Sequence, residues 1–97
     1  MYYLKFSEDF KKDVAGIHEY ISKDGVAIAN EQIRKMREKA KKLKDFPKLG
    51  KVLEGTKYRF LVSKPYLIFY ELFEDKKYVE IVRVIDGRRN YMKLLKF

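Results

Sequence analysis

The chain has 97 residues and a mass of 11.7 kDa, so it is long enough for one domain and too short for a two-domain enzyme. Hydrophobic residues make up 46% of it and aromatic residues 15%, which is enough for a small core, and the net charge is +9. The sequence contains no cysteine, which excludes disulfides, a thiolate nucleophile and a cysteine zinc site. We therefore expect one folded domain over residues 1–97.

The positive charge is concentrated in one third of the sequence. Residues 34–64 contain twelve lysines and arginines against three acidic residues, so the whole excess of +9 lies there. Such a block favours a polyanionic partner, either a nucleic acid or an acidic protein segment, because each neutralised charge adds counterion release or electrostatic steering. No apolar run approaches the roughly 20 residues that span a bilayer, and no signal-peptide pattern begins the chain. We expect a cytoplasmic protein without a membrane partner.

The first half of the sequence predicts a strand and two helices. A β-rich run at residues 2–6 precedes Ser7, a favourable N-cap that two acidic residues follow. Apolar residues then recur at helical spacing up to Gly25, where the first helix should stop. The same spacing continues to Leu43, and Pro47 should end the second helix just before it. We expect an antiparallel helical hairpin, and we interpret the basic face of the second helix as solvated surface.

The second half predicts a sheet after a connecting loop at residues 49–56. Three segments rich in aromatic and β-branched residues predict an antiparallel meander, and they cover residues 57–63, 66–73 and 78–85. The middle segment is almost continuously apolar, so both of its faces should be covered. The hairpin would cover one face, and residues 90–97 would cover the other as a short helix or dock as an extra strand.

The predicted fold class is α+β. An N-terminal strand and an α-helical hairpin should pack on a twisted antiparallel β-sheet, in the order β-α-α-β-β-β with a short C-terminal segment.

The usual catalytic groups are missing from the sequence. His18 is the only histidine, which excludes a histidine pair for acid–base catalysis, and we expect it to be a structural residue of the first helix. The acidic residues are scattered, with Glu74 and Asp75 in a turn, so we expect no metal and no other cofactor.

What remains is a set of cations and phenols in and around the sheet. Residues 82–91 end a strand in a glycine turn and then present two adjacent arginines and a tyrosine, which could clamp an anion. In the alternative, structural interpretation, Arg83 pairs with Glu80 or Glu71 across the sheet, and the two turn arginines are solvated. The candidate target-binding or phosphate-binding residues are Lys51, Lys57, Arg83, Arg88 and Arg89.

Several segments, in this order and spacing, resemble one known family. They are Phe46-Pro47-x-x-Gly50, Tyr58-Arg59-Phe60, residues 66–70 and residues 81–95. Over nearly the whole chain the sequence resembles the RelE/ParE superfamily of toxins from bacterial type II toxin–antitoxin modules. The resemblance implies a toxin that arrests growth and a cognate antitoxin that wraps it with an acidic, partly disordered segment, which suits the charge of +9.

The superfamily has two main activities. RelE-like members cleave mRNA in the ribosomal A site, and that resemblance would make Arg59, Arg89 and Tyr91 the catalytic residues. Two departures oppose it, because Leu67 and Leu61 stand where RelE-like enzymes have an arginine and a lysine.

ParE-like members also lack that arginine, have long helical hairpins and poison DNA gyrase by binding it. We therefore favour a ParE-like gyrase inhibitor that breaks no bond. A ribosome-dependent mRNA interferase is the alternative. A third possibility is a nucleic-acid-binding module without toxicity.

Overall fold

The structure, a computed structural model, describes residues 1–95. Its elements follow the predicted order and are β1 (Tyr3–Phe6), α1 (Glu8–Ser22), α2 (Val26–Lys41), β2 (Lys51–Val52), β3 (Tyr58–Ser63), β4 (Tyr66–Phe73), β5 (Tyr78–Asp86) and α3 (Tyr91–Leu94).

The helical hairpin begins where the sequence indicates, but α2 ends at Lys41, a few residues before the end predicted from Pro47. The Ser7 hydroxyl accepts a hydrogen bond from the Phe10 amide at 3.0 Å, which is the predicted N-cap, and it also donates to the Val82 carbonyl of β5 at 2.6 Å. Gly25, with a φ of 148°, separates the two helices. After α2 a single 3₁₀ turn at Lys42–Lys44 leads the chain out of the helix before Pro47.

Five strands form one sheet in the order β1-β5-β4-β3-β2. The predicted antiparallel meander of β3, β4 and β5 is confirmed, while β1 lies parallel to β5 at the edge and makes the sheet mixed. One prediction is wrong in detail, because residues 49–56 are not loop throughout. Lys51 and Val52 pair with Phe60 and Arg59 and form a two-residue edge strand.

The central strand β4 is buried on both faces, as its apolar sequence predicts. Ile68 and Tyr70 face the hairpin and belong to the larger core, whereas Phe69 faces the other side and packs against Leu95. The C-terminal segment therefore covers the second face as a short helix rather than an extra strand over residues 90–95. The remaining part of that prediction, Lys96 and Phe97, lies outside the described residues.

Neither a membrane helix nor a metal cluster is found in residues 1–95. No helix there is both long and apolar enough to cross a bilayer. No group of three or more histidine, aspartate or glutamate side chains in the same range could hold a metal ion.

Candidate functional site

The turn that follows β5 carries the two adjacent arginines, and Asp86 orients the first of them. Arg88 donates from Nε to Asp86 Oδ1 at 2.9 Å and from Nη2 to Oδ2 at 2.6 Å, and its backbone amide also donates to Oδ1 at 2.9 Å. These bonds from Arg88 lower the pKa of the Asp86 carboxyl to about 2. The Arg88 side chain is nevertheless 81% exposed, so part of its guanidinium faces solvent.

Arg89 differs from Arg88 because its guanidinium forms no hydrogen bond or ion pair within residues 1–95. Both arginines line a groove of about 590 Å³ between α1 and the adjoining ends of β4 and β5. Lys12, Tyr20 and Tyr66 also line it. Burial raises the pKa of the Tyr66 hydroxyl, and the neighbouring Asp86 charge adds to that rise. The groove is therefore basic at its mouth and aromatic on one wall.

The structural interpretation of the sequence predicted that Arg83 pairs with Glu80 or Glu71, and this prediction is wrong. Its Nε and Nη2 donate to the two carboxylate oxygens of Asp13 on α1 at 2.7 and 3.0 Å, and its Nη1 donates to the Leu94 carbonyl at 3.1 Å. Strand β1 pairs with β5 only as far as Ile81, so β5 is uncovered at Arg83. There the Asp13 carboxylate of α1 lies against β5 and also accepts a hydrogen bond from the Val84 amide. The hydrogen bonds that Arg83 donates to Asp13 raise the pKa of Arg83. Arg83 thus uses three of its donors in hydrogen bonds within the protein.

Arg59 lies on the hairpin face of the sheet, opposite Tyr58 and Phe60, as the alternation predicts. Its Nη1 donates to the Gly50 carbonyl at 3.0 Å. The same loop is held by Tyr70, which donates to the Pro47 carbonyl at 2.8 Å and accepts from the Gly50 amide at 2.9 Å. Arg59 is therefore attached to the loop that precedes β2.

Tyr91 lies on the other face of the sheet. Its ring centroid is 5.4 Å from that of Phe69, in the second core. Arg59 and Tyr91 are thus separated by the sheet itself, and the three residues suggested for catalysis do not converge from one side.

The two remaining cations are also apart from the turn. Lys57 precedes β3 at the end of the sheet away from Arg88, and its Nζ lies 3.6 Å from Glu71 Oε1. Lys51 is exposed on the edge strand β2 and has no ion pair within residues 1–95. Of the candidate residues, Arg88 and Arg89 share the groove beside α1, whereas Lys51 and Arg59 lie on the paired strands β2 and β3.

His18 joins the two helices of the hairpin. Its Nε2 lies 2.7 Å from Asn30 Oδ1 and its Nδ1 lies 3.3 Å from Ser22 Oγ. A neutral ring that donates to Asn30 and accepts from Ser22 satisfies both contacts. This arrangement agrees with the structural role expected for the only histidine.

The comparisons with known proteins agree with the fold and identify the family. A family model described as the ParE toxin of type II toxin–antitoxin system, parDE, matches residues 4–91. The chain belongs to this family, and it is a toxin of a type II toxin–antitoxin system with the RelE/ParE fold. No curated protein matches it by sequence.

Solved structures with the same fold come from both branches of the superfamily. The chromosomal ParDE toxin–antitoxin system from P. aeruginosa matches with a TM-score of 0.78 and 20% identity, over 89% of this chain and 96% of that one. The isolated E. coli RelE toxin matches with a TM-score of 0.65 and 18% identity, over 99% and 97%. The intact E. coli RelBE toxin–antitoxin complex matches with a TM-score of 0.64 and 18% identity, over 92% and 100%.

Proposed function

We propose that this toxin arrests growth by binding DNA gyrase and that it breaks no bond itself. The observation that carries the proposal is the separation of Arg59 from Tyr91 by the sheet. An RNase without a histidine pair needs its cations and its proton acceptor around one phosphate, because the catalytic gain comes from positioned groups and preorganised charge. Arg59 is hydrogen-bonded to the Gly50 carbonyl on the hairpin face, and the Tyr91 ring packs against Phe69 on the other face, which supports a toxin that binds its target rather than one that cleaves RNA.

The two leucines that depart from the RelE-like pattern support the same conclusion. Leu61 is 9% exposed and packs in the core beneath the hairpin, and Leu67 packs against the second core. Neither leucine can supply the cation that the RelE-like pattern has at its position, and Leu67 is only half-buried.

The turn after β5 is the surface that we propose for the target. Arg89 has a free guanidinium among residues 1–95, and Asp86 holds the exposed Arg88 beside it. Two neighbouring guanidiniums at the mouth of a groove suit recognition of a carboxylate or phosphate on a macromolecular surface.

This proposal is tested with purified toxin and purified gyrase. Wild-type protein should inhibit supercoiling or trap cleaved DNA, and Arg88→Ala combined with Arg89→Ala should lose at least tenfold in potency because both guanidiniums are removed. A matched control combines Lys23→Ala with Lys76→Ala, which removes the same charge from exposed positions outside the groove. If wild-type toxin has no effect on gyrase at any ratio, the proposed target is wrong.

We also propose where the cognate antitoxin binds. Phe6 and Phe10 form the apolar floor of a groove of about 340 Å³, and Lys11, Arg37 and Lys41 line its rim. An amphipathic acidic segment would bury apolar side chains on the two phenylalanines and pair its carboxylates with the rim.

Binding of the acidic antitoxin segment to this groove should depend strongly on salt. Arg37→Glu combined with Lys41→Glu should weaken antitoxin binding and flatten its salt dependence, because two cations become two anions. Lys23→Glu combined with Lys76→Glu gives the same net charge away from the groove and should change binding much less. Equal effects of the two pairs would show that the groove is not the binding site.

A further inference from the structure

A second basic surface lies where α2 passes over the end of β3, away from the turn after β5. Lys35 and Lys39 on α2 and Lys42 just after it follow at spacings of four and three, so they form one stripe along about 10 Å of helix axis. Lys64, in the turn between β3 and β4, lies across a groove of about 410 Å³ from the stripe. We call this surface the lysine groove, defined by these four lysines.

The charges of the lysine groove are not neutralised by the chain. Within residues 1–95, Lys35, Lys42 and Lys64 have no carboxylate within ion-pair distance. Lys39 donates to a neutral carbonyl, that of Val62, rather than to a carboxylate. The one acidic residue of the described part of the chain that lines the groove is Glu38, which is paired with Lys41 on the next face of the helix at 3.7 Å.

A hydrogen bond connects the two sides of the groove, and its floor is polar. Gln32 donates from Nε2 to the Lys64 carbonyl at 3.4 Å, which connects the turn to α2. Ser63 is 4% exposed and lines the groove on the hairpin face of β3, and its hydroxyl forms no hydrogen bond within the described range of the chain. A hydroxyl donor at the floor and ammonium groups at the rim are the groups that bind phosphate oxygens.

We propose that the lysine groove binds the phosphate backbone of a nucleic-acid duplex independently of its sequence. Among residues 1–95, no aromatic side chain lines the groove, so these residues offer no platform on which the bases of a single strand could stack. The same residues supply no apolar floor of the kind that an amphipathic acidic peptide needs. Lysine acts as a point charge towards phosphates, which favours contact with the backbone over readout of the bases. The proposal stands whether or not gyrase is the target of the toxin.

The test is the salt dependence of duplex binding by the purified protein. Fluorescence anisotropy with a labelled DNA duplex and with an RNA duplex of the same sequence is recorded between about 50 and 200 mM salt. Each lysine that contacts a phosphate contributes about 0.9 to the slope of log K against log salt on B-DNA. Lys35→Gln, Lys42→Gln and Lys64→Gln together should therefore reduce the magnitude of the DNA slope by about 2.7.

A second triple variant separates this site from the general charge of the protein. Lys5→Gln, Lys23→Gln and Lys76→Gln remove the same three charges from exposed positions outside the groove and should change the slope by less than about one unit. Circular dichroism melting of both variants verifies that the fold is retained. A stronger effect on one of the two duplexes identifies the form of nucleic acid that the groove binds.

Two results would overturn the proposal. One is an equal reduction of the slope by the two triple variants, because net charge alone would then explain binding. The other is a triple variant of the groove that loses binding of an acidic peptide while both duplexes bind as before, because the groove would then be a peptide site.

Discussion

At the scale of single residues, the pair of Asp86 and Arg88 determines how the basic turn responds to pH. The folded-state pKa of Asp86 is about 2, below the ordinary value of 3.8. A lowered pKa means that the pair stabilises the folded state above pH 3.8 and that this contribution is lost as the pH falls through about 2. Arg88→Ala should return the Asp86 pKa towards 3.8 in an NMR titration of the carboxyl carbons, because the bonds to Arg88 cause most of the shift.

The neighbouring arginine provides the control for this titration. Arg89 lowers the Asp86 pKa only through its more distant charge, so Arg89→Ala should shift that pKa much less than Arg88→Ala does. Similar titration curves for the two variants would contradict the orienting role that we assign to Asp86.

The Tyr70 hydroxyl holds the loop that leads from the hairpin into the sheet. Tyr70 is fully buried, and its hydroxyl joins the Pro47 carbonyl to the Gly50 amide. Tyr70→Phe keeps the ring but leaves both backbone groups without that partner, so it should lower the free energy of unfolding by about 1–3 kcal/mol in a urea titration. Tyr20→Phe, at a side chain that is 68% exposed, is the matched control and should have little effect. Equal midpoints for the two variants would refute this role.

The sequence shows a glycine at position 50, but it does not show why a glycine is required there. A Cβ at this position would lie 2.7 Å from the Tyr70 ring and 2.8 Å from the Phe60 carbonyl, so only glycine fits beneath the tyrosine. The close approach depends on residues 10 and 20 positions further along the chain. Local turn chemistry predicts a glycine in a loop without revealing this contact.

At the scale of elements, the Asp13–Arg83 pair joins α1, β5 and α3. The Asp13 carboxylate accepts from the Arg83 guanidinium and from the Val84 amide, and Arg83 donates to the Leu94 carbonyl at the end of α3. The side chains are 20% and 16% exposed for Arg83 and Asp13, so water screens them little. A double-mutant cycle with Asp13→Ala and Arg83→Ala should give a coupling energy of about 1.5–3 kcal/mol in unfolding experiments.

Hydrogen exchange provides a second measurement of the same pair. The Val84 amide should exchange faster in Asp13→Ala because it loses its acceptor, while the Phe10 amide, which Ser7 caps, should keep its protection. If the effects of Asp13→Ala and Arg83→Ala on the free energy of unfolding add within about 0.5 kcal/mol, the Asp13–Arg83 pair does not couple these elements.

The elements were predictable to the extent that local periodicity determines them. The hairpin follows from apolar spacings of three and four residues, and the meander follows from three segments rich in aromatic and β-branched residues. Ser7 marks the start of α1 from the sequence alone. The strand at Lys51–Val52 was missed because two residues carry no periodicity and their pairing depends on β3. The parallel addition of β1 to β5 joins segments about 75 residues apart, and Asp13 meets Arg83 across 70. Such long-range pairings leave no local pattern.

At the scale of the whole molecule, the sheet divides the candidate residues. The adjacency of Arg88 and Arg89 is visible in the sequence, and so is the face that Arg59 takes relative to Tyr58 and Phe60. The face that Tyr91 takes is not visible, because it depends on how α3 folds back over Phe69. For this reason the sequence alone could not decide whether the catalytic set assembles.

The charge of the whole molecule is likewise distributed over separate surfaces. The rim of the Phe6–Phe10 groove and the lysine groove both draw cations from α2, on different faces of that helix. The turn after β5 contributes a third set. We propose a separate partner for each surface: the target at the turn, the antitoxin at the Phe6–Phe10 groove and a nucleic-acid duplex at the lysine groove.

We propose that this ParE-family toxin binds DNA gyrase and does not cleave translated mRNA. The most direct measurement is to induce the protein in a bacterial host and to record, in one culture, DNA breaks and the 5′ ends of ribosome-bound messages. We predict DNA breaks with intact messages, which Arg88→Ala combined with Arg89→Ala abolishes. Codon-aligned cuts in messages with intact DNA would contradict the account, because Arg59, Arg89 and Tyr91 would then suffice for catalysis despite lying on opposite faces of the sheet.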